Sequence, residues 1–180
     1  MRSALHLLIV AILLFGGAWP VTKAALTHAT PMWFAVGRAG LAAVVTALLL
    51  AALRRLHLPR RADMPSVLAL GLLQLGAFFV LAHAAVAMVQ AGRTAIISAV
   101  VTYWLIPLSV LVLGERVPAH RWAAAGLGLA GVAVLAGPWA VDWADATQLV
   151  GHLMLVLAAL FWTLAIVTTR RFPPASPVFE

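Results

Sequence analysis

Hydrophobic residues make up 64% of this 180-residue chain and charged residues 9%, whereas an ordinary soluble domain carries about 25% charged residues. So apolar a chain cannot cover a water-facing surface, its continuous apolar runs argue against the period-two alternation of a β-barrel, and the lack of cysteine excludes disulfide and thiol chemistry. The net charge of +7 would suit nucleic acid, but the basic residues gather at the ends of apolar runs, so no nucleic-acid partner is expected.

A hydrocarbon core about 30 Å thick needs roughly 20 apolar residues of helix. Six stretches meet that length: Leu5–Leu26, Met32–Leu53, Ser66–Val89, Thr94–Leu113, Trp122–Gly137 and Leu149–Thr169. The fifth is short unless it runs on to Val141. The first begins after Arg2 and loosely resembles a secretory leader, but its length and its terminal Lys23 favour a retained helix. The second connection, Arg54–Pro65, is rich in arginine and proline and reads as a solvated turn. The third is barely a turn, at Gln90–Arg93, and the fourth is Gly114–Arg121. The fifth, near Pro138–Thr147, holds Trp139 and Trp143, which suit a membrane interface. The tail from Phe172 to Glu180 reads as the start of another connection. The fold class predicted is an all-α polytopic membrane protein with six transmembrane helices.

The charges orient it. Arg2, Arg54, Arg55, Arg60, Arg61, Arg116, Arg121, Arg170 and Arg171 fall on one side, nine of the twelve basic residues. That asymmetry sets the N-terminus in the cytoplasm. A faint internal repeat aligns Ala11–Lys23 with Ala158–Arg170, matching Ala11, Leu13, Ala18 and Thr22. Five segments separate the two copies, so a repeat of that size is inverted, an architecture common in secondary transporters.

Three stretches resemble the EamA-type branch of the drug/metabolite transporter (DMT) superfamily. The first is Phe15-Gly16-Gly17-Ala18-Trp19-Pro20-Val21-Thr22-Lys23, followed by Pro31 and Arg38. The second runs from Ala91-Gly92-Arg93-Thr94-Ala95-Ile96-Ile97 through Ile106-Pro107-Leu108 and Leu113-Gly114-Glu115-Arg116 to Gly126 and Leu129-Ala130-Gly131-Val132. The third is Phe161-Trp162-Thr163-Leu164 through Thr169-Arg170-Arg171. The resemblance implies ten helices in two inverted five-helix repeats. Residues 1–145 then form the first repeat and 146–180 begin the second, so the chain reads as a fragment or a truncated product. The resemblance further implies a permease or exporter of small organic metabolites, amino acids or related solutes, in a bacterial inner membrane. Alternatives are a facilitative uniporter or importer, and a non-transporting scaffold or assembly subunit.

The candidate pathway residues are Trp19, Lys23, Arg38, His83, Arg93, Tyr103 and Trp162. Lys23, Arg38 and Arg93 fall toward the outer half of the membrane, where a charge faces a cavity or snorkels to the headgroups. Arg38 lies about six residues inside its segment, roughly 9 Å at helical rise. Trp19, Tyr103, Trp104 and Trp162 are intramembrane aromatics for an amphipathic solute or for packing. Gln74 and His83 stand about 2.5 turns apart, on roughly opposite faces, and His83 is the side chain that takes a proton near neutral pH. Pro20 and Pro107 are candidate hinges. Glu115 with Arg116 closes the fourth helix, and Ala35, Ala39 and Ala43, like Gly126, Ala130 and Gly131, offer close helix contact.

None of the five acidic residues sits inside a segment, so proton coupling uses His83, lies in other helices, or is absent. No nucleophile–base pair, metal-ligand spacing or phosphate-binding loop stands out, so neither an enzyme nor a cofactor or metal is expected. The expected partners are the lipid bilayer, a small-molecule solute, and a second copy or a second half.

Overall fold

The computed structural model describes residues 2–54, 59–137, 139 and 141–174, with side chains from residue 5 onward. Arg55, Pro138 and the tail from Ala175 lie outside the described residues. Among those described, six helices are long and apolar enough to cross a membrane. They are α1 (Arg2–Ala25), α2 (Pro31–Ala52), α3 (Arg61–Met88), α4 (Ala91–Leu113), α5 (Ala119–Ala136) and α6 (Ala146–Arg171). No strand occurs among the described residues.

Local chemistry sets the ends. Pro31 occupies the first turn of α2, where its missing N–H costs nothing and its fixed φ suits the helix. Gly114 takes φ 67° and ends α4; a side chain there would be strained. Gly137 does the same for α5 at φ 64°, so that helix stops at Ala136 and does not run on to Val141. The third helix starts earlier than its apolar run, because a 3₁₀ turn over Arg61–Asp63 leads into it.

Asp145 caps α6. Its carboxylate accepts from the backbone N–H of Thr147 at 2.9 Å and of Gln148 at 3.4 Å, and from the Gln148 side-chain amide at 3.1 Å. The Gln148 side-chain hydrogen bond, followed by that from the Thr147 backbone, holds this carboxyl below the usual carboxylate range. A depressed folded value stabilises the fold above the unfolded value, and the gain is lost as pH falls through the folded one. Melting temperature followed into the acidic range is expected to drop in the native chain. Asp145→Asn keeps an acceptor without the charge and is expected to flatten that part of the profile.

Two helices depart from α geometry. In α3, Ala69–Ala77 is wound as a π-helix between the α-helical Met64–Leu68 and Phe78–Met88. In α4, the α-helical Ala91–Ser98 and Val101–Leu108 are separated by a tightened turn at Ala99–Val100. Its N–H groups reach back three residues, from Ala99 to Ile96 at 3.1 Å and from Val100 to Ile97 at 3.0 Å. Past Pro107, whose missing N–H removes the bond to the Tyr103 carbonyl, α4 continues into a second π-wound stretch, Ser109–Leu113.

The bundle gathers around α6, which lies against α3 and α4. Helix α1 touches α3 and α4, α2 lies on α3, and α5 lies on α4. In its most apolar stretch α6 is 39% buried, against 6% for α1 and α2 and none for α5, so α6 is the interior helix. Leu155, fully buried, meets Ala85 of α3 and Ile97 of α4, with Ala136 of α5 against the same cluster. Gly151 makes the seam possible: a Cβ there would stand 2.6 Å from Val89 Cγ2 and 3.1 Å from Met88 Cβ. On α5 the close approach is at Gly128, where a Cβ would meet the Tyr103 hydroxyl at 2.5 Å. A Cβ at Gly126 or Gly131 would meet nothing within 4 Å. On α2, Ala35 is buried, while Ala39 and Ala43 line an open groove beside α3.

Polar ties fasten the helix ends. Ser66 at the start of α3 donates to the carbonyl of Phe172 just past α6. The Lys23 ammonium at the end of α1 donates to the carbonyls of Val86, of Ala87 at 3.2 Å and of Val89 at 3.1 Å, at the end of α3. Thr163, buried in α6, donates to the carbonyl of Val101 at 3.1 Å, just past the break in α4, and to that of Ala159 at 2.8 Å.

Candidate functional site

A cavity of about 300 Å³ opens where α1, α2, α3, α4 and α6 converge. Its walls are aromatic: Phe15 and Trp19 from α1, Phe78 and Phe79 from α3, and Trp162 from α6. The rings interlock. Phe78 and Trp162 meet edge to face with centroids 4.6 Å apart, Phe79 and Trp162 at 6.4 Å, and Phe78 and Phe79 at 5.1 Å. Ala18 and Thr22 of α1 and Ala95, Ser98, Ala99 and Val101 of α4 also line it, so the broken turn of α4 faces the cavity. Irregular backbone at membrane depth is tolerated where it lines a cavity or is buried in protein.

The polar contribution comes mainly from α2 and α3. The Arg38 guanidinium sits 4.6 Å from the centroid of Phe79, a cation–π contact. His83, 2% exposed, stacks on Phe79 at 5.6 Å and meets Phe34 edge to face at 5.1 Å. Positions 34 and 38 lie one turn apart on α2, and positions 79 and 83 one turn apart on α3. Two such pairs on facing helices engage as a block. The stacking fixes the Phe79 ring beneath Arg38. His83 Nδ1 and Ser98 Oγ are both buried and make no hydrogen bond.

Of the residues singled out from the sequence, Trp19, Arg38, His83 and Trp162 line this cavity. Lys23 does not; its ammonium is engaged at the end of α3. Arg93, half-buried, reaches toward Gly137 at the end of α5. Tyr103 lines a separate cleft of about 380 Å³ between α4 and α5, with Trp104, Pro107 and Trp122. Pro20 is carried within α1 without interrupting it, whereas Pro107 precedes the π-wound end of α4. Glu115 and Arg116 are exposed beyond Gly114. Phe34, Phe78, Phe79 and Ser98 lie outside the residues singled out in the sequence, and Phe15 enters there only as part of the Phe15–Lys23 stretch. The one-turn spacing of Phe34 to Arg38 and of Phe79 to His83 was the available signal.

Residues 2–137 match the model of the EamA-like transporter family, most of the chain and α1 to α5 entire. The chain belongs to the EamA-like transporter family. A relative from Bacillus subtilis (strain 168), named "Uncharacterized transporter YvbV", is 31% identical over 176 residues. The match covers 94% of this chain and 54% of that relative, so the chain spans about half the relative's length. No solved structure matches. As an EamA-like, DMT-superfamily protein with six helices apolar enough to cross a bilayer, it is an integral membrane protein. The family match ends at residue 137, yet α6, beyond it, supplies Trp162 to the cavity and the interior of the bundle.

Proposed function

We propose that the protein is the pathway-forming portion of a permease for small organic metabolites, amino acids or related solutes, working by alternating access. The observation that carries this reading is the aromatic cavity beside a broken membrane helix, with a guanidinium at its wall. Apolar walls with few polar anchors suit a small organic solute. A helix interrupted at membrane depth supplies backbone that changes shape at low cost. Residues 1–145 form one five-helix repeat in this reading and 146–180 open its inverted partner. The N-terminus lies on the cytoplasmic side, as the arginine asymmetry favours, and the membrane in this reading is a bacterial inner membrane.

Proteoliposome flux tests it. The full-length protein is expected to move a radiolabelled aromatic solute down its gradient, and Trp162→Ala to slow that movement while the protein elutes normally from size-exclusion chromatography. Flux indistinguishable from empty liposomes across aromatic amino acids and their acid and amine relatives would sink the reading in favour of a scaffold. A dependence on an imposed pH gradient would mark coupled movement, and its absence a uniporter.

A further inference from the structure

We infer that the cavity selects solutes carrying a single negative charge on an aromatic or branched apolar body, over zwitterions and cations of the same shape. This rests on the permease reading of the same site. The first argument is charge. Among its described lining residues the cavity holds one permanent cation, Arg38, and no carboxylate. The described acids all stand at helix ends or in connections: Asp63 at the start of α3, Glu115 after α4, Asp142 and Asp145 between α5 and α6. No carboxylate among the described residues pairs with Arg38, whose contact is the face of Phe79. A guanidinium at membrane depth with no protein counter-ion is satisfied by an anion, and its planar fork matches a carboxylate.

The second argument is shape. Beside Arg38 and His83, the walls are the rings of Phe15, Trp19, Phe78, Phe79 and Trp162, small apolar side chains, and the neutral hydroxyls of Thr22 and Ser98, so no anionic group meets an ammonium. At about 300 Å³ the space is at the small end for ligand pockets, which suits one ring with a short acidic side chain. An amino acid fits by size but brings an ammonium with no carboxylate to meet it. Its deaminated relative does not bear that cost.

Titration calorimetry on the full chain in nanodiscs of zwitterionic lipid tests this with three probes. 3-Phenylpropionate, phenylalanine and phenethylamine share a ring and a two-carbon arm, and are anionic, zwitterionic and cationic in turn. 3-Phenylpropionate is expected to bind about tenfold tighter than phenylalanine, the scale of one charge-assisted pair against an unmet ammonium, with phenethylamine weakest. Arg38→Gln is expected to abolish the difference, and Arg38→Lys, which keeps charge but loses the fork, to retain part of it. Phenylalanine binding as tightly as 3-phenylpropionate, or a preference that survives Arg38→Gln, would overturn the inference. The native chain's order alone decides if that variant does not fold. Repeating the series in anionic lipid separates solute from headgroup: an unchanged order supports the solute site, and its collapse assigns Arg38 to lipid phosphate and overturns the proposal. If the probes bind in the expected order but none crosses a proteoliposome membrane, the permease reading falls and the charge selection stands.

Discussion

Truncating Leu155 to alanine is expected to lower the unfolding free energy of the bundle by about 2 kcal/mol or more. Leu155 is fully buried on α6 and joins Ala85 of α3 to Ile97 of α4. Its removal leaves a void at a point where three helices have no freedom to collapse together. In lipid or detergent the transfer contribution shrinks, because the unfolded helices also lie in an apolar solvent, and the lost packing carries the effect. Leu153, on the same helix and 59% exposed, provides the control. Leu153→Ala is expected to leave the melting temperature in detergent nearly unchanged. Equal shifts for the two variants would mean that α6 does not present this face to α3 and α4.

Replacing Lys23 with methionine is expected to cost about 1.5–3 kcal/mol, the range for hydrogen bonds to a charged group. The ammonium serves three carbonyls at the C-terminal end of α3, where the helix dipole also favours positive charge. Methionine keeps much of the length and apolar stem while leaving those carbonyls without their donor. Helix α1 buries little of itself elsewhere, so the C-terminal end of α1 should separate from α3. A cysteine pair engineered across that end reports the separation by slower disulfide formation. Lys23→Arg is expected to recover part of the loss, and a melting temperature unmoved by Lys23→Met would contradict a fastening role.

The membrane spans were legible because each is a run of apolar residues closed by arginine, proline or glycine, and the six helices fall within a few residues of those runs. The breaks inside them were not. Nothing in Ser98-Ala99-Val100-Val101 announces a tightened turn, since no proline or glycine stands there. The π-wound part of α3 contains Gly71 and Gly76, but glycine alone does not specify a π-helix. At the break in α4 a neighbouring helix takes part, since the Thr163 hydroxyl of α6 reaches the carbonyl of Val101.

The cavity was half legible. Trp19 and Trp162 stand among the candidate residues of the first and sixth segments, and the fold packs both against the cluster of Phe78, Ala82 and Ala158. Lys23 illustrates the limit of sequence reasoning. A lysine at a helix end reads the same whether it meets solute, headgroup or protein, and only the position of α3 distinguishes them. Gly126 and Gly131 were as plausible as Gly128 and Gly151 for close approach. Spacing gives a small-residue face, but the partner's position decides which glycine touches it.

The central place of α6 also bears on how the protein is made. Segments emerge from the ribosome in chain order, so α1 to α5 enter the bilayer before the helix they assemble around exists. Until α6 arrives, Ala82 and Ala85 of α3 lack the Ala158 and Leu155 they pack against, and α5 has little beyond α4 to hold it. The decisive contacts join residues far apart in sequence, such as Ala85 and Leu155, which makes assembly a late event rather than a stepwise accretion. The nascent chain therefore passes through a stage of inserted but loosely associated helices, in which lipid stands where Leu155 and Trp162 will later pack.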